Sequence, residues 1–91
     1  MSVPAIHIKK LTTEEIEKLG VYSWEIWEKE ISTFDYHYDE KEQCYFLEGE
    51  VEIEVGDQKF NIKSGDFAIF EKGLSCVWHI VKPVKKHYKF G

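Results

Sequence analysis

The side chains best suited to chemistry in this 91-residue sequence lie in three segments with alternating polar and apolar residues. In an extended strand, alternate residues point to the same face. Asp35 then shares a face with His37, Glu42 with Cys44, and Cys76 with Trp78. If these faces all point inward, one cavity is lined by Asp35, His37, Glu42, Cys44, Cys76 and Trp78. We therefore predict a single inward-facing pocket.

A metal site is one hypothesis for this pocket. Imidazole, carboxylate and thiolate ligands suit Zn²⁺ or Fe²⁺ better than Mg²⁺ or Ca²⁺. His37, Glu42 and Cys76 are the candidate ligands, and Asp35 is a fourth candidate donor. The alternative is a pocket that holds no metal and is empty or binds an organic ligand, in which His37 is hydrogen-bonded to a nearby carboxylate or tyrosine.

Glu42 is also the candidate catalytic residue. A carboxylate buried beside aromatic rings has a raised pKa and can act as a general acid or base. The alternative is a structural Glu42 paired with His37 or with a backbone donor. Either cysteine is a nucleophile only if His37 lies within reach as its base, and buried thiols are usually inert. The tryptophans at 24, 27 and 78 either stack on a ligand or belong to the packing of the core.

Length, composition and charge exclude several classes of protein. A chain of 91 residues predicts one domain over 1–91. The net charge is -5 and the sequence contains no arginine, which argues against a nucleic-acid partner. No apolar run approaches the ~18 residues that a membrane span needs, and the N-terminus does not resemble a signal peptide. We expect a cytoplasmic protein with two reduced thiols.

The predicted elements are mostly short strands. Ile6 and Ile8 indicate a first strand over Ala5–Lys9, and Thr12 and Glu15 form a capping box that opens a short helix ending at Gly20. The whole chain predicts eight to ten short strands. A turn is predicted at Glu48-Gly49 and a strand break at Lys82-Pro83. Glu50, Glu52 and Glu54 are expected to form a solvated row, and Lys85-Lys86-His87 a surface run. Such spacing is typical of a barrel or sandwich.

Two segments resemble the motifs of the cupin family. The first motif is matched by Asp35-Tyr36-His37, Glu42 and Gly49, and the second by Gly65, Gly73 and Cys76. Asp35 and Cys76 stand where the motifs have metal-binding histidines. The run Tyr45–Val51, with Gly65-Asp66 and a tryptophan-rich N-terminal third, resembles the (S)-ureidoglycine aminohydrolase cupin domain family. The resemblance implies an all-β, RmlC-like jelly-roll barrel with one short N-terminal helix.

Three functional hypotheses remain open from the sequence, and it does not decide whether the protein is an enzyme. In the first, the barrel binds or transforms a small polar metabolite, and the resemblance suggests nitrogen-rich acids. In the second, the protein is a metal-dependent hydrolase or oxygenase that uses His37, Glu42 and Cys76. In the third, the barrel is a non-catalytic binding or interaction module. A homodimer formed through strand edges is also predicted.

Overall fold

The computed structural model describes residues 6–91. Two predictions fall outside these residues. One is the start of the first strand at Ala5, and the other concerns the lack of a signal peptide at the N-terminus. Within the described part, no helix has the length and apolar character needed to cross a membrane.

Seven antiparallel strands and one helix make up the described chain. The strands are β1 (Ile6–Lys9), β2 (Glu25–Lys29), β3 (Ser32–His37), β4 (Glu42–Val55), β5 (Gln58–Lys63), β6 (Phe67–Phe70) and β7 (Ser75–Phe90). Helix α1 covers Thr13–Leu19, and a 3₁₀ turn follows at Val21–Ser23. The predominance of strand with one N-terminal helix confirms the predicted fold class.

The predicted capping box is present at the start of α1. The Glu15 amide donates to Thr12 Oγ1 at 3.1 Å, and the Thr12 amide donates to Glu15 Oε1 at 2.9 Å. Gly20 ends the helix with a φ of 70°, a left-handed conformation that glycine adopts at little cost. These local contacts explain why the sequence alone was sufficient to place this helix.

The two long strands β4 and β7 run the length of the sheet and pair with each other. The first half of β4 pairs with β6 and with the second half of β7, while the second half of β4 pairs with β5 and with the first half of β7. Strand β1 extends the first group beyond β6, and β2 and β3 pair with opposite halves of β7. The core lies between the two halves.

A bend at the centre of both long strands replaces two predicted interruptions. The turn at Glu48-Gly49 and the break at Lys82-Pro83 were both wrong, because β4 and β7 continue through these positions. Their register shifts there instead, between Phe46 and Val51. A Cβ atom on Gly49 would overlap the Pro83 backbone, so only a glycine allows this close approach.

Buried side chains form one large cluster and one small cluster. The large cluster includes Phe46, Val51, Ile53, Phe70 and Trp78. Val51 and Ile53 face inward as predicted, and the alternating glutamates lie on the outer face. There Glu50, Glu52 and Glu54 pair with Lys82, Lys59 and His79. The small cluster packs Ile16, Val21 and Phe67 under α1.

Candidate functional site

A partly enclosed pocket of about 250 Å³ opens between the two halves of the sheet. One wall is formed by β2, β4 and β7. The other wall is formed by β3, by the residue that follows β3 and by the N-terminal half of β7. Most of the lining side chains are aromatic. The lining consists of Trp27, Phe34, Tyr36, Tyr38, Glu42, Trp78, Lys86, Tyr88 and Phe90.

The polar part of this pocket is a buried ion pair between adjacent strands. Lys86 Nζ lies 3.3 Å from Glu42 Oε2, and the two side chains are 5% and 6% exposed. The same ammonium donates to Cys44 Sγ at 3.3 Å. It also lies 4.9 Å from the ring centroid of Trp27 and 4.8 Å from that of Trp78, within the range of cation–π attraction.

Glu42 keeps Lys86 charged at neutral pH. Burial lowers the pKa of Lys86, but Cys44 and Glu42 raise it by more, so the net pKa lies above its ordinary value. Burial also raises the pKa of the Cys44 thiol strongly. Cys44 is therefore a neutral thiol near neutral pH, and the side chain of Glu42 is the ion-pair partner of the ammonium.

Four of the six predicted pocket residues point inward. Glu42 and Trp78 line the pocket, and Cys44 lies behind it against Lys86. Cys76 is 6% exposed and belongs to the core, beside a shallow groove on the other side of β3. The structure thus brings Glu42, Cys44 and Trp78 to one region, with Cys76 at its margin.

The prediction that Asp35 and His37 share this cavity is wrong. Both side chains are exposed on the outer face, where His37 Nδ1 lies 2.7 Å from Ser75 Oγ and Nε2 lies 3.7 Å from Asp39 Oδ1. Tyr36 instead lines the pocket, along with Phe34 and Tyr38. Alternation within β3 was predicted correctly. The choice of inner face was inverted, because aromatic rings gain more from burial than a carboxylate or an imidazole.

Both cysteines are free thiols. Burial raises the pKa of Cys76 to about 11, and that of Cys44 is raised further by complete burial. His37 and Cys76 border the same groove, but His37 Nδ1 is hydrogen-bonded to Ser75 Oγ, and within residues 6–91 neither thiol is hydrogen-bonded to the predicted base. The geometry therefore does not provide the thiolate that a cysteine nucleophile requires.

Lys86 is the site residue that the sequence analysis missed. The run Lys85-Lys86-His87 was predicted to lie on the surface, yet Lys86 and His87 are 4% and 5% exposed. His87 points to the opposite face, where its Nδ1 lies 3.1 Å from the Trp24 carbonyl oxygen. The available signal was the alternation of Val84, Lys86, Tyr88 and Phe90, which places Lys86 on the same face as three apolar residues.

The two indoles of the N-terminal third have different surroundings. Trp27 lines the pocket with its ring centroid 5.8 Å from that of Trp78. Trp24 packs on Phe67 of the small cluster, with ring centroids 6.4 Å apart. Of the three tryptophans, Trp27 and Trp78 are therefore the two placed to contact a ligand in this pocket.

Comparison with known families identifies the barrel. The model of the EutQ-like cupin domain matches residues 16–88, which include the whole pocket except Phe90. The chain belongs to the EutQ-like cupin family. A search of the curated proteins finds no match to this cupin.

Solved structures agree with this assignment. A DUF861 family protein from Thermotoga maritima is 47% identical, with a TM-score of 0.93, over 94% of this chain and 99% of that chain. The EutQ protein of Clostridium difficile is 20% identical with a TM-score of 0.68, over 93% of this chain and 66% of that chain. A putative ethanolamine utilization protein Q from Salmonella typhimurium has 19% identity and a TM-score of 0.66, over 93% of this cupin and 68% of its own length. The last two similarities show the fold alone.

The metal implied by the cupin motifs does not fit the residues present in this cupin. Among residues 6–91, no three His, Cys, Asp or Glu side chains are grouped so that they can hold a metal ion. The predicted ligands His37, Glu42 and Cys76 are separated, because His37 lies on the outer face of β3 while the Glu42 carboxylate is paired with Lys86. An ammonium occupies the position beside Glu42 where a cation would otherwise bind.

Proposed function

We propose that this cupin binds a small organic molecule in the pocket between the two halves of its sheet. The observation that carries the proposal is the buried Lys86–Glu42 pair, which faces a partly open space of about 250 Å³ walled by aromatic rings. A concave site with apolar walls and a few convergent polar groups is the usual form of a small-molecule site.

The exposure of the aromatic wall supports binding over a purely structural role. Tyr36 is 40% exposed and Phe90 is 41% exposed, although both line the pocket with the fully packed Trp78. Rings left partly open around a charged pair retain apolar surface that a ligand can cover. Burial of this apolar surface contributes roughly 25 cal/mol per Å² to the binding free energy, before the cost of ordering the ligand is subtracted.

The resemblance to the (S)-ureidoglycine aminohydrolase cupins suggests which compounds to test first. Nitrogen-rich acids and ureides carry both oxygen acceptors and amide donors, which complement an ammonium and a carboxylate respectively. Among residues 6–91, Glu42 is the one carboxylate that lines the pocket, and it is our candidate for proton transfer if the ligand is also transformed. Product analysis by mass spectrometry after incubation with each bound compound tests this catalytic step.

A thermal-shift screen tests the binding proposal. A ligand that binds only the folded protein must raise its melting temperature. We expect hits among small carboxylates, amides and ureides, and loss of the shift in Tyr36→Ala, which removes part of the pocket wall. Tyr22→Ala is the matched control, because Tyr22 is an exposed tyrosine that does not line the pocket. No shift across a broad set of compounds would favour a non-catalytic interaction module instead.

The predicted homodimer is a separate proposal. Within the part of the chain that the structure describes, four strands each pair with one other strand and therefore present an edge: β1, β2, β3 and β5. Such edges support association through strand pairing. Light scattering combined with size-exclusion chromatography gives the mass in solution, and a monomer at high concentration would contradict the dimer.

A further inference from the structure

We infer that Lys86 forms a Schiff base with a small planar aldehyde in the pocket, and that Glu42 carries the proton for this reaction. This step rests on the proposed binding function and adds a covalent reaction to it. Lysine amines form such imines with carbonyl compounds in proteins, and buried lysines are the ones that take this role.

Lys86 differs from the other lysines of the chain in its surroundings. All 12 lysines fall within residues 6–91, and among them Lys86 is the one that is buried. Its Nζ lies 4.9 Å from the ring centroid of Trp27 and 4.8 Å from that of Trp78. Both rings line the pocket, as do Glu42 and Lys86 itself. An aldehyde held in this pocket would therefore meet the Lys86 amine.

Glu42 supplies the base that the ammonium needs. A lysine ammonium has no free electron pair, so it must lose a proton before its nitrogen can attack a carbonyl carbon. Glu42 Oε2 accepts a hydrogen bond from Lys86 Nζ at 3.3 Å, and the proton can pass along this bond. Because burial disfavours charged forms, converting the ion pair to an amine and a carboxylic acid costs less here than in water.

The reaction is balanced, with water as the second product. Lys86 gives one proton to Glu42, and its nitrogen then forms a bond to the carbonyl carbon of the aldehyde. A second proton moves from this nitrogen to the carbonyl oxygen, which becomes a hydroxyl group. Glu42 passes its proton to the hydroxyl group, the C–O bond breaks and water leaves. The product is an iminium ion with the same positive charge as the ammonium.

The iminium ion preserves the charge balance of the site. Glu42 returns to a carboxylate and keeps a cation as its partner, so no buried charge is left unpaired. The one remaining N–H of the iminium ion can donate to Glu42, and the contact with Cys44 Sγ at 3.3 Å is lost. That loss is small because sulfur is a weak acceptor. The rings of Trp27 and Trp78 attract the iminium ion as they attract the ammonium.

The size and the opening of the pocket suit an aldehyde of about one ring. A volume of about 250 Å³ corresponds to roughly eight water molecules. Phe34 and Trp78 are stacked at an interplanar angle of 17° and both line the pocket, so the walls suit a planar group. Tyr36 and Phe90 also line it but are 40% and 41% exposed, which leaves a route for the aldehyde to enter and for water to leave.

Reductive trapping with benzaldehyde tests the Schiff base. Borohydride reduces an imine to a stable secondary amine, so a brief incubation with benzaldehyde followed by borohydride marks each imine with a benzyl group. We expect intact-mass spectrometry to show one benzyl group per chain, and peptide mapping to place it on Lys86. Labelling of Lys86 should exceed that of the exposed Lys89 at least about tenfold, because the pocket holds the aldehyde beside the amine.

Benzyl alcohol and two lysine variants are the controls. Benzyl alcohol has the same ring without a carbonyl group, so it should protect Lys86 and leave Lys89 unaffected. Lys86→Met should lose the single rapid label, and Lys89→Met should retain it, although each variant loses one positive charge from β7. If Lys86→Met does not fold, the Glu42→Met/Lys86→Met double variant removes the amine without leaving a lone charge, and protection of the wild type by benzyl alcohol remains an independent test.

Glu42→Gln tests the proton carrier. An amide can neither take the proton from Lys86 nor return it to the hydroxyl group, so trapping of Lys86 should slow at least about tenfold. Protection of Lys86 by benzyl alcohol should persist in this variant, because the alcohol uses only the walls of the pocket. An unchanged rate of trapping would overturn the role of Glu42.

The outcomes separate the covalent step from the binding proposal. Labels spread over exposed lysines with Lys86 unmodified would overturn the Schiff base, and so would labelling of Lys86 that benzyl alcohol does not slow. Hits in the thermal-shift screen beside either result would leave the binding pocket in place. Failure of that screen, together with no trapping at Lys86, would contradict both proposals.

Discussion

Lys86 on β7 and Glu42 on β4 form an ion pair of 3.3 Å between side chains that are 5% and 6% exposed. Antiparallel pairing of β4 with β7 brings the two strands together, with Phe46 opposite Lys86 and Phe90 opposite Glu42. The residues therefore meet diagonally across the sheet, on the face that lines the pocket. This ion pair supplies the charged groups of a site that is otherwise lined by aromatic rings.

Removing one member of this pair should be far more damaging than removing both. Lys86→Met leaves Glu42 buried without a partner and should cost about 3–5 kcal/mol of unfolding free energy. The Glu42→Met/Lys86→Met double variant should recover most of that loss, since apolar side chains of similar size replace such pairs well. Urea denaturation at neutral pH measures both. Equal stability of the single variant and the wild type would contradict a buried pair.

Gly49 should tolerate no side chain. It has a φ of 98°, and an added Cβ would lie 2.8 Å from Val84 Cα and would overlap the Pro83 carbonyl. Gly49→Ala should destabilise the protein by more than the ~1–2 kcal/mol expected for a left-handed residue alone. Gly56→Ala is the control, because Gly56 also has a positive φ of 60°, but an added Cβ there would have no neighbour within 4 Å. Similar losses in the two variants, measured by denaturant unfolding, would contradict the close packing of β4 on β7.

Stability should fall as the pH rises above about 9. Burial raises the pKa of Cys76 from an ordinary value of 9.0 to about 11, and it raises the pKa of Cys44 too. A thiol with a higher pKa in the folded state ionises first in the unfolded chain, so stability is complete below 9.0 and declines above it. Lys86 adds to the decline only above its ordinary 10.5, because its folded pKa is also raised.

A cysteine-free variant tests the source of this alkaline decline. Cys44→Ala/Cys76→Ala should lose less stability between pH 9.0 and about 11 than the wild type, even if it is less stable at neutral pH. The slope of unfolding free energy against pH is the quantity to compare. An unchanged slope would show that the thiols ionise normally in the folded protein.

The two thiols should react slowly and in a fixed order. Cys44 is fully buried and Cys76 is 6% exposed, and both have raised pKa values. An aromatic disulfide reagent near neutral pH should therefore label neither thiol quickly in the native protein, and Cys76 should react before Cys44. After denaturation, two thiols per chain should react. Fast labelling of Cys44 in the native state would contradict its place behind Lys86.

The helix cap offers a local test. Thr12→Ala removes the hydroxyl that accepts from the Glu15 amide and should cost about 1 kcal/mol. Thr13→Ala changes a neighbouring threonine on the exposed surface of the helix and should cost little. The reciprocal bond from the Thr12 backbone amide should weaken at acidic pH in the wild type, because hydrogen bonds from Thr12 lower the pKa of Glu15 and protonation removes the charge that accepts them. Equal stabilities of the two variants at neutral pH would contradict the cap.

The helix ends and the alternation along β4 depend on local sequence and were predicted correctly. Thr12, Glu15 and Gly20 determined both ends of α1 because capping involves residues only a few positions apart. Alternation along β4 placed Val51 and Ile53 in the core, and Glu42 with Cys44 on one face. The resemblance to cupins was also visible in the sequence, and the family match over residues 16–88 confirms a cupin domain.

The errors at the site concern relations between distant strands. The sequence of β3 determined that Asp35 and His37 share a face, but packing of Phe34, Tyr36 and Tyr38 on the core decided which face points inward. The same holds for Lys86, whose charged neighbours predicted a surface and whose partner Glu42 lies 44 residues away. Periodicity shows which residues of a strand share a face, but it does not show which face is buried. A buried charge also needs a partner, and here that partner comes from a distant strand. The tertiary structure therefore decided the composition of the site.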